Sequence, residues 1–371
     1  MKNCLLILIS FLFINCSKNE KLEGFWYRKS KDNNYPALLK FENNKLIDYF
    51  YNDTLKYSYF GDKLILKNEF NEKRNIKIKL DNSKLILIEP ISDSIISEYK
   101  RKKLNYFIND LITDKLFKID LPSGNGIQRM YGQTNLFEPL FISYQNGILI
   151  ADFRNEKIPV DKGFYKGLIE KGKYNFYEKD FIQISIIADK NIKIKDFELI
   201  KKQLKLANYN RVELILDNNK YEFIKSFRLK LPPLLEKDLN EYGIEPKEYI
   251  LPPAPAKFDE EHTLLLEIGN KDIKINNVIV NEENLKRKIQ ERIKTDSEFN
   301  ISYSFTDNSV YQDYIKALDI VYNSIIDLRK TYLKSKYNID YYSNDYDNRK
   351  KLIESKEKFR FSFFNIDNAE Q

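Results

Sequence analysis

Two cysteines and one histidine are all the thiol and imidazole chemistry available to this 371-residue chain. Both cysteines, Cys4 and Cys16, lie at the extreme N-terminus, which leaves the body without a disulfide, a thiolate zinc site or a cysteine nucleophile. A lone His262 argues against a histidine-rich metal site and against a Ser-His-Asp triad. It closes the run Asp259-Glu260-Glu261-His262, where side chains on an extended strand alternate faces and at most two would converge on a metal. The run reads as a solvated charge cluster entering a strand. Asp189 and Asp307 each close an apolar strand and are the obvious acids to test as catalysts. Aspartate at a strand-to-helix junction more commonly forms a turn or caps the helix. Gly124-Asn125-Gly126 lacks the Lys-Ser/Thr of a P-loop and the third glycine of a dinucleotide fingerprint, so it reads as a loop. The many tyrosines, Tyr341-Tyr342 among them, offer stacking surfaces for sugars or bases, but a general bias toward Asn, Lys, Ile and Tyr accounts for them equally. No catalytic, cofactor-binding or metal-binding residue is assigned, and the chain is not expected to be an enzyme.

Composition narrows the partners. The 62 basic side chains are interspersed with 55 acidic ones for a net charge of +7, an ordinary solvated surface that does not point to nucleic acid. A 42% hydrophobic content supports real cores, and the length suggests two or three compact units.

The N-terminus reads as an address. Met1-Lys2-Asn3 is a short basic start, and Cys4 to Ile14 is an apolar run about half the length needed to span a bilayer. It ends in Phe13-Ile14-Asn15-Cys16, which resembles the lipobox of bacterial lipoproteins, with Asn15 in place of the usual small residue. The resemblance implies a signal peptide over 1–15 and lipidation of Cys16, with 16–21 as a tether. Three acyl chains would hold the protein stably at the membrane. Ser17, where aspartate would favour inner-membrane retention, points to the outer membrane of the cell envelope.

From Leu22 to about Lys100, short apolar strands alternate with Asn43-Asn44, Asn52-Asp53, Gly61-Asp62 and Asp81-Asn82-Ser83. That spacing predicts an antiparallel meander over 22–101, closed as a small barrel or stacked as a sandwich. Gly24-Phe25-Trp26 resembles the G-x-W opening of lipocalin-like domains, where the tryptophan plugs one barrel end. A linker with a short helix is expected over 102–118.

The rest repeats one order of elements. Over 119–231, the hairpin Phe141 to Ala151 turns at Asn146-Gly147, and a helix at Lys162 to Lys171 follows. The strand Phe181 to Ile187, a helix bearing Phe197, Ile200, Leu204 and Ala207, and the strand Arg211 to Leu216 complete the unit. A proline-containing connector spans 232–256. Over 257–336 come strands at His262 to Ile268 and Ile273 to Ile275, then a helix capped by Asn281 with Leu285, Ile289 and Ile293 on one face. The strand Phe299 to Phe305 and a long helix with Tyr311, Tyr314, Leu318 and Val321 facing inward follow. Residues 337–371 form a C-terminal tail.

These two units resemble the periplasmic domain of the ExbD/TolR family of energy-transducing membrane proteins. The likeness rests on Ile273 to Val280, on Ile186-Ile187-Ala188-Asp189, on Ser304-Phe305-Thr306-Asp307, and on Leu121-Pro122 and Leu251-Pro252 at the unit entrances. Tyr322-Asn323 and Leu328-Arg329 resemble one ExbD branch. The resemblance implies two α+β units after the N-terminal β domain. Its partners would be ExbB/ExbD-type motor proteins, peptidoglycan or a second copy of the chain. The membrane helix that carries proton coupling in that family is not found before either unit, so a motor role is not expected. The reading is a lipid-anchored binding or scaffolding accessory of the envelope, with exposed sheet edges pairing with partner strands. The alternative is a carrier whose lipocalin-like barrel holds a small apolar ligand.

Overall fold

The computed structural model describes residues 22–28, 37–48, 53–68, 70–102, 107–113, 115, 117–130, 137–172, 176–179, 181–218, 223–245, 259, 261–296, 299–341 and 348–366. Residues 1–21, which contain Cys16, lie outside them. The chain divides into two compact units, one comprising 1–115, 128–139 and 218–224, the other 116–127, 140–217 and 225–371.

The first unit is built on a closed antiparallel barrel, which decides between barrel and sandwich. Its strands are β1 (Gly24–Arg28), β2 (Ala37–Glu42), β3 (Lys45–Asp48), β4 (Asp53–Phe60), β5 (Lys63–Lys67), β6 (Lys73–Leu80), β7 (Lys84–Ile88) and β8 (Ile95–Lys102). Strand β1 pairs with both β2 and β8, so no edge is left open. Period-two alternation sends Leu64, Leu66, Ile76 and Ile78 inward and lysines outward. Asn43 and Asn44 take φ of 50° and 59°, the left-handed pair that a two-residue hairpin needs. Trp26 is fully buried at one end, its Nε1 donating to Leu22 O (2.7 Å) and the Arg101 guanidinium 4.7 Å from its ring centroid. Phe41, Tyr57 and Tyr99 fill the interior with it, Phe41 and Tyr57 edge to face at 5.1 Å. Helix α1 (Phe107–Thr113) follows, within the linker expected over 102–118.

Two mixed sheets follow the barrel in the chain, and the second unit holds all of the second sheet and most of the first. The first runs β12-β11-β10-β13-β14-β15-β9, from β9 (Ile127–Met130), β10 (Phe137–Gln145), β11 (Ile148–Phe153), β12 (Glu156–Pro159), β13 (Gln183–Ala188), β14 (Arg211–Ile215) and β15 (Phe223–Lys230). Its helices are α2 (Phe164–Lys171), α3 (Phe176–Lys179), α4 (Ile194–Leu206) and α5 (Glu236–Glu241). The second runs β18-β17-β16-β19-β20, from β16 (Thr263–Ile268), β17 (Ile273–Ile275), β18 (Val278–Ile279), β19 (Asn300–Phe305) and β20 (Phe363–Asn365). Its helices are α6 (Glu282–Thr295), α7 (Tyr311–Tyr337) and α8 (Arg349–Lys358).

The repeated order is present in both halves: a hairpin, a helix, a strand, a second helix, and a strand parallel to the first. The outer hairpins turn on left-handed pairs, Arg154-Asn155 in one half and Asn276-Asn277 in the other. The central strands begin alike, with Gln183-Ile184-Ser185 matched by Asn300-Ile301-Ser302, and both serines are fully buried. Phe197 of α4 lies against Tyr311 (4.5 Å) and Tyr314 (5.4 Å) of α7, so the two halves share one core.

Two segments depart from expectation. The stretch expected to be a tail folds back: α8 docks on α7, and Phe363–Asn365 pairs in parallel with β19, giving the second copy its counterpart of β14. Phe363 stacks on Tyr303 at 4.7 Å. Part of the expected connector is helix α5, with Asp238 accepting from Leu235 N (2.9 Å) and Leu234 and Leu239 buried against Leu206. The prolines of 250–255 lie outside the described residues.

Candidate binding site

Helix α4 carries its apolar stripe on Phe197, Ile200 and Leu204, and lysines occupy the positions beside that stripe. Where those lysines meet α5 and the ends of β19 and β20, they line a pocket of about 320 Å3, with Lys162, Lys195, Lys202, Glu241, Phe305 and Asn365 on its walls. Lys202 sits 2.7 Å from Asp238 and 3.5 Å from Glu241, and Lys162 2.7 Å from Glu241. Burial pulls the Lys202 ammonium down, but its hydrogen bond to Asp238 and the charges of Asp238 and Glu241 outweigh it and hold the group above the ordinary lysine range. The bond from Lys162 holds the Glu241 carboxyl below its ordinary value. Lys195 at the rim is exposed and has no carboxylate partner among the described residues.

Deeper in, Lys201 is buried with its Nζ 2.7 Å from Glu198 Oε1 and 2.7 Å from Tyr303 Oη. The rings of Tyr314, Phe197 and Tyr303 lie 5.1, 5.3 and 5.5 Å from the same nitrogen. Tyr303 donates to Glu198 Oε1 at 2.6 Å, and burial, reinforced by the Glu198 charge, keeps that phenol protonated far above the ordinary range. Every inner lysine is thus engaged, a structural arrangement that fixes the two halves. The rim is left to attract an anion.

The second feature is an edge. In the first half β14 is flanked by antiparallel β15, whereas its counterpart β20 is the last strand of its sheet among the described residues. Asn365, the final residue of β20, also lines the pocket. An open strand edge leading to a lysine-rimmed pocket suits an extended segment carrying an acidic group.

The other residues singled out in the sequence have plain structural partners. Asp189 accepts from Asp120 N (2.8 Å) and Asn191 N (2.9 Å), the work of a turn former. Asp307 is exposed on its loop. His262 Nδ1 lies 2.9 Å from Asp296 Oδ2, and no group of three metal-ligating side chains occurs among the described residues. The Gly124-Asn125-Gly126 loop presents backbone donors, but Asp319 of α7 takes them, accepting from Asn125 N (2.9 Å) and Gly126 N (3.1 Å). Cys16 lies outside the described residues. Among those described, no helix is long and apolar enough to cross a membrane. The β20 edge and the Lys201 network are absent from the sequence reading; the available signal was Lys201 four residues after Phe197, on the buried face of α4.

Comparison with known proteins returns no match to a protein-family model, to a curated protein or to a solved structure.

Proposed function

We propose that this protein is a lipid-anchored, non-catalytic binding and scaffolding accessory of the cell envelope. Cys16 holds it at the membrane, at the outer membrane on the Ser17 criterion, and its second unit works as an internal pair of ExbD/TolR-like folds beside an ExbB/ExbD-type motor. The observation that carries the reading is the unequal filling of the two copies. The first closes its β14 edge with β15, and the second leaves β20 open beside a lysine-rimmed pocket. A partner strand adding to β20 with its acidic group at Lys195 would complete the second copy as β15 completes the first. Peptidoglycan and a second copy of the chain are the other partners the resemblance offers. The carrier alternative draws less support, because Trp26, Phe41, Tyr57 and Tyr99 already occupy the barrel interior.

The test is affinity purification of the full-length chain from cross-linked cells, with mass spectrometry of what is retained. ExbB- or ExbD-type subunits should be enriched over a Cys16→Ala control and depleted by Lys195→Glu. Recovery of the protein alone, or with a bound small molecule, removes the motor association and favours the carrier.

A further inference from the structure

Four lysines stand in a row on the outer wall of the barrel. The strand registers place Lys45 opposite Lys56, Lys56 opposite Lys67, and Lys67 opposite Lys73, across β3, β4, β5 and β6. Directly opposed residues project from the same face, so four ammonium groups line up over about 14 Å at the usual strand spacing. Like charges placed directly opposite one another destabilise a sheet. Elsewhere on this barrel that cost is relieved: Lys77, opposite Lys63, and Lys84, opposite Lys100, pair with Asp93 and Glu98, each at 2.8 Å. None of the four in the row has a carboxylate partner among the described residues, and Glu42, beside Lys45, is already held by Lys40.

The row ends at an apolar tip. Lys67 and Lys73 flank the loop that joins β5 to β6, and Phe70 on that loop is 76% exposed. The loop is internally braced: Asn68 Oδ1 accepts from Phe70 N (3.0 Å) and Glu72 N (2.9 Å), and Asn68 Nδ2 donates to Glu72 Oε2 (2.7 Å). Phe70 is therefore held outward by its own loop. Connections of an antiparallel meander alternate between barrel ends, so the β7–β8 connection lies at the same end as Phe70. It adds Ile91, 95% exposed, and Ile95, 60% exposed. This is the end opposite the Trp26 plug, since Trp26 pairs with Arg101 near the far end of β8.

We propose that this end and wall of the barrel dock on an anionic lipid bilayer, with Phe70, Ile91 and Ile95 entering the headgroup boundary and Lys45, Lys56, Lys67 and Lys73 facing the headgroups. Apolar tips beside uncompensated lysines are the pairing an interfacial site requires: the tips gain burial only in lipid, and each lysine near an anionic surface strengthens binding roughly fivefold. A soluble polyanion would use the lysines and leave the three apolar tips in water, which is why the bilayer is favoured. This contact is independent of acylation at Cys16 and would orient the barrel on the membrane that the anchor reaches.

The experiment uses the full chain carrying Cys16→Ser, so that no acyl chain contributes, and measures its co-sedimentation with vesicles. Vesicles of phosphatidylglycerol in phosphatidylcholine should bind at least tenfold more tightly than phosphatidylcholine alone, with affinity falling as salt rises. The double variant Lys56→Gln/Lys67→Gln should bind about 25-fold more weakly, and Phe70→Ser should also weaken binding. The double variant should be at least as stable as the parent, because it relieves repulsion, so lost binding cannot be ascribed to lost folding. Equal binding to the two vesicle types, or unchanged binding by these variants, overturns the proposal. Binding to soluble polyphosphate with none to anionic vesicles overturns it in favour of a polyanion site.

Discussion

Lys193 and Val310, the residues immediately before α4 and α7, face each other as an isolated antiparallel bridge. Ile194 N donates to Ser309 O (3.0 Å) and Tyr311 N to Ile192 O (2.7 Å). Equivalent points of the two copies thus meet each other, as at a two-fold interface, although one continuous chain supplies both sides. The consequence is cooperative. The amides of Ile194 and Tyr311 should exchange with solvent as slowly as those of β13 and β19, and urea should unfold both halves in one transition. Early exchange of these two amides would mean that the halves open independently.

The buried network at Lys201 makes a second joint. Removing the ammonium while leaving Glu198 and Tyr303 in place strands a carboxylate that has little solvent around it. Lys201→Met should therefore cost about 3 kcal/mol in urea unfolding, and adding Glu198→Leu should recover most of that loss. If the double variant is as unstable as the single one, the ammonium's contact with the rings of Phe197, Tyr303 and Tyr314, rather than the stranded carboxylate, is what matters.

These joints show where the sequence speaks and where it stops. The β10–β11 hairpin was legible because Asn146-Gly147 is a local signal, and the structure puts both residues at positive φ. Helix α6 was legible from Asn281, which caps it at 2.8 Å, and from Leu285, Ile289 and Ile293. Strand β20 was not, since Phe363-Phe364-Asn365 is too short to show a period and is ordered only by pairing with β19. Helix α8 buries only Ser355, so no apolar stripe announces it. Barrel closure depends on β1 meeting β8 across the whole domain, and the lysine row appears only once strand registers are known. At the candidate site, the apolar face of α4 was legible from Phe197, Ile200 and Leu204, but the pairing of its lysines needs α5 and β19 brought alongside.

Asp319 sits midway along the inward stripe of α7, where an unpaired carboxylate would be costly, and the backbone of Asn125 and Gly126 supplies its partners. Asp319→Ala should destabilise the chain by about 2 kcal/mol, because half-buried N–H groups lose a charged acceptor. Gly126→Ala should also be destabilising: φ is +50°, and an added Cβ would come within 2.8 Å of Leu216. Limited proteolysis should show new cleavage near residues 123–126 in both variants. Unchanged urea midpoints would place this loop outside the cooperative core.

Docking of α8 on α7 should depend on pH through Glu354. Its carboxylate accepts from Lys336 (2.7 Å), Tyr332 and Tyr337, and those bonds, the lysine's foremost, pull its pKa down to about 2. An unfolded glutamate titrates near 4.3. A depressed folded value means the contribution is complete above the unfolded pKa and is lost as pH falls from about 4.5 through 2. The bond to Glu354 also raises Lys336, which stays protonated throughout that acidic window, so the loss follows protonation of Glu354. Amide exchange across Arg349–Lys358 should therefore quicken between pH 4.5 and 2 beyond its intrinsic pH dependence, with β13 as the internal reference. Glu354→Gln should abolish that pH-dependent component and leave α8 loosened at neutral pH. If the variant keeps the wild-type acid profile, another carboxylate governs the docking of this helix.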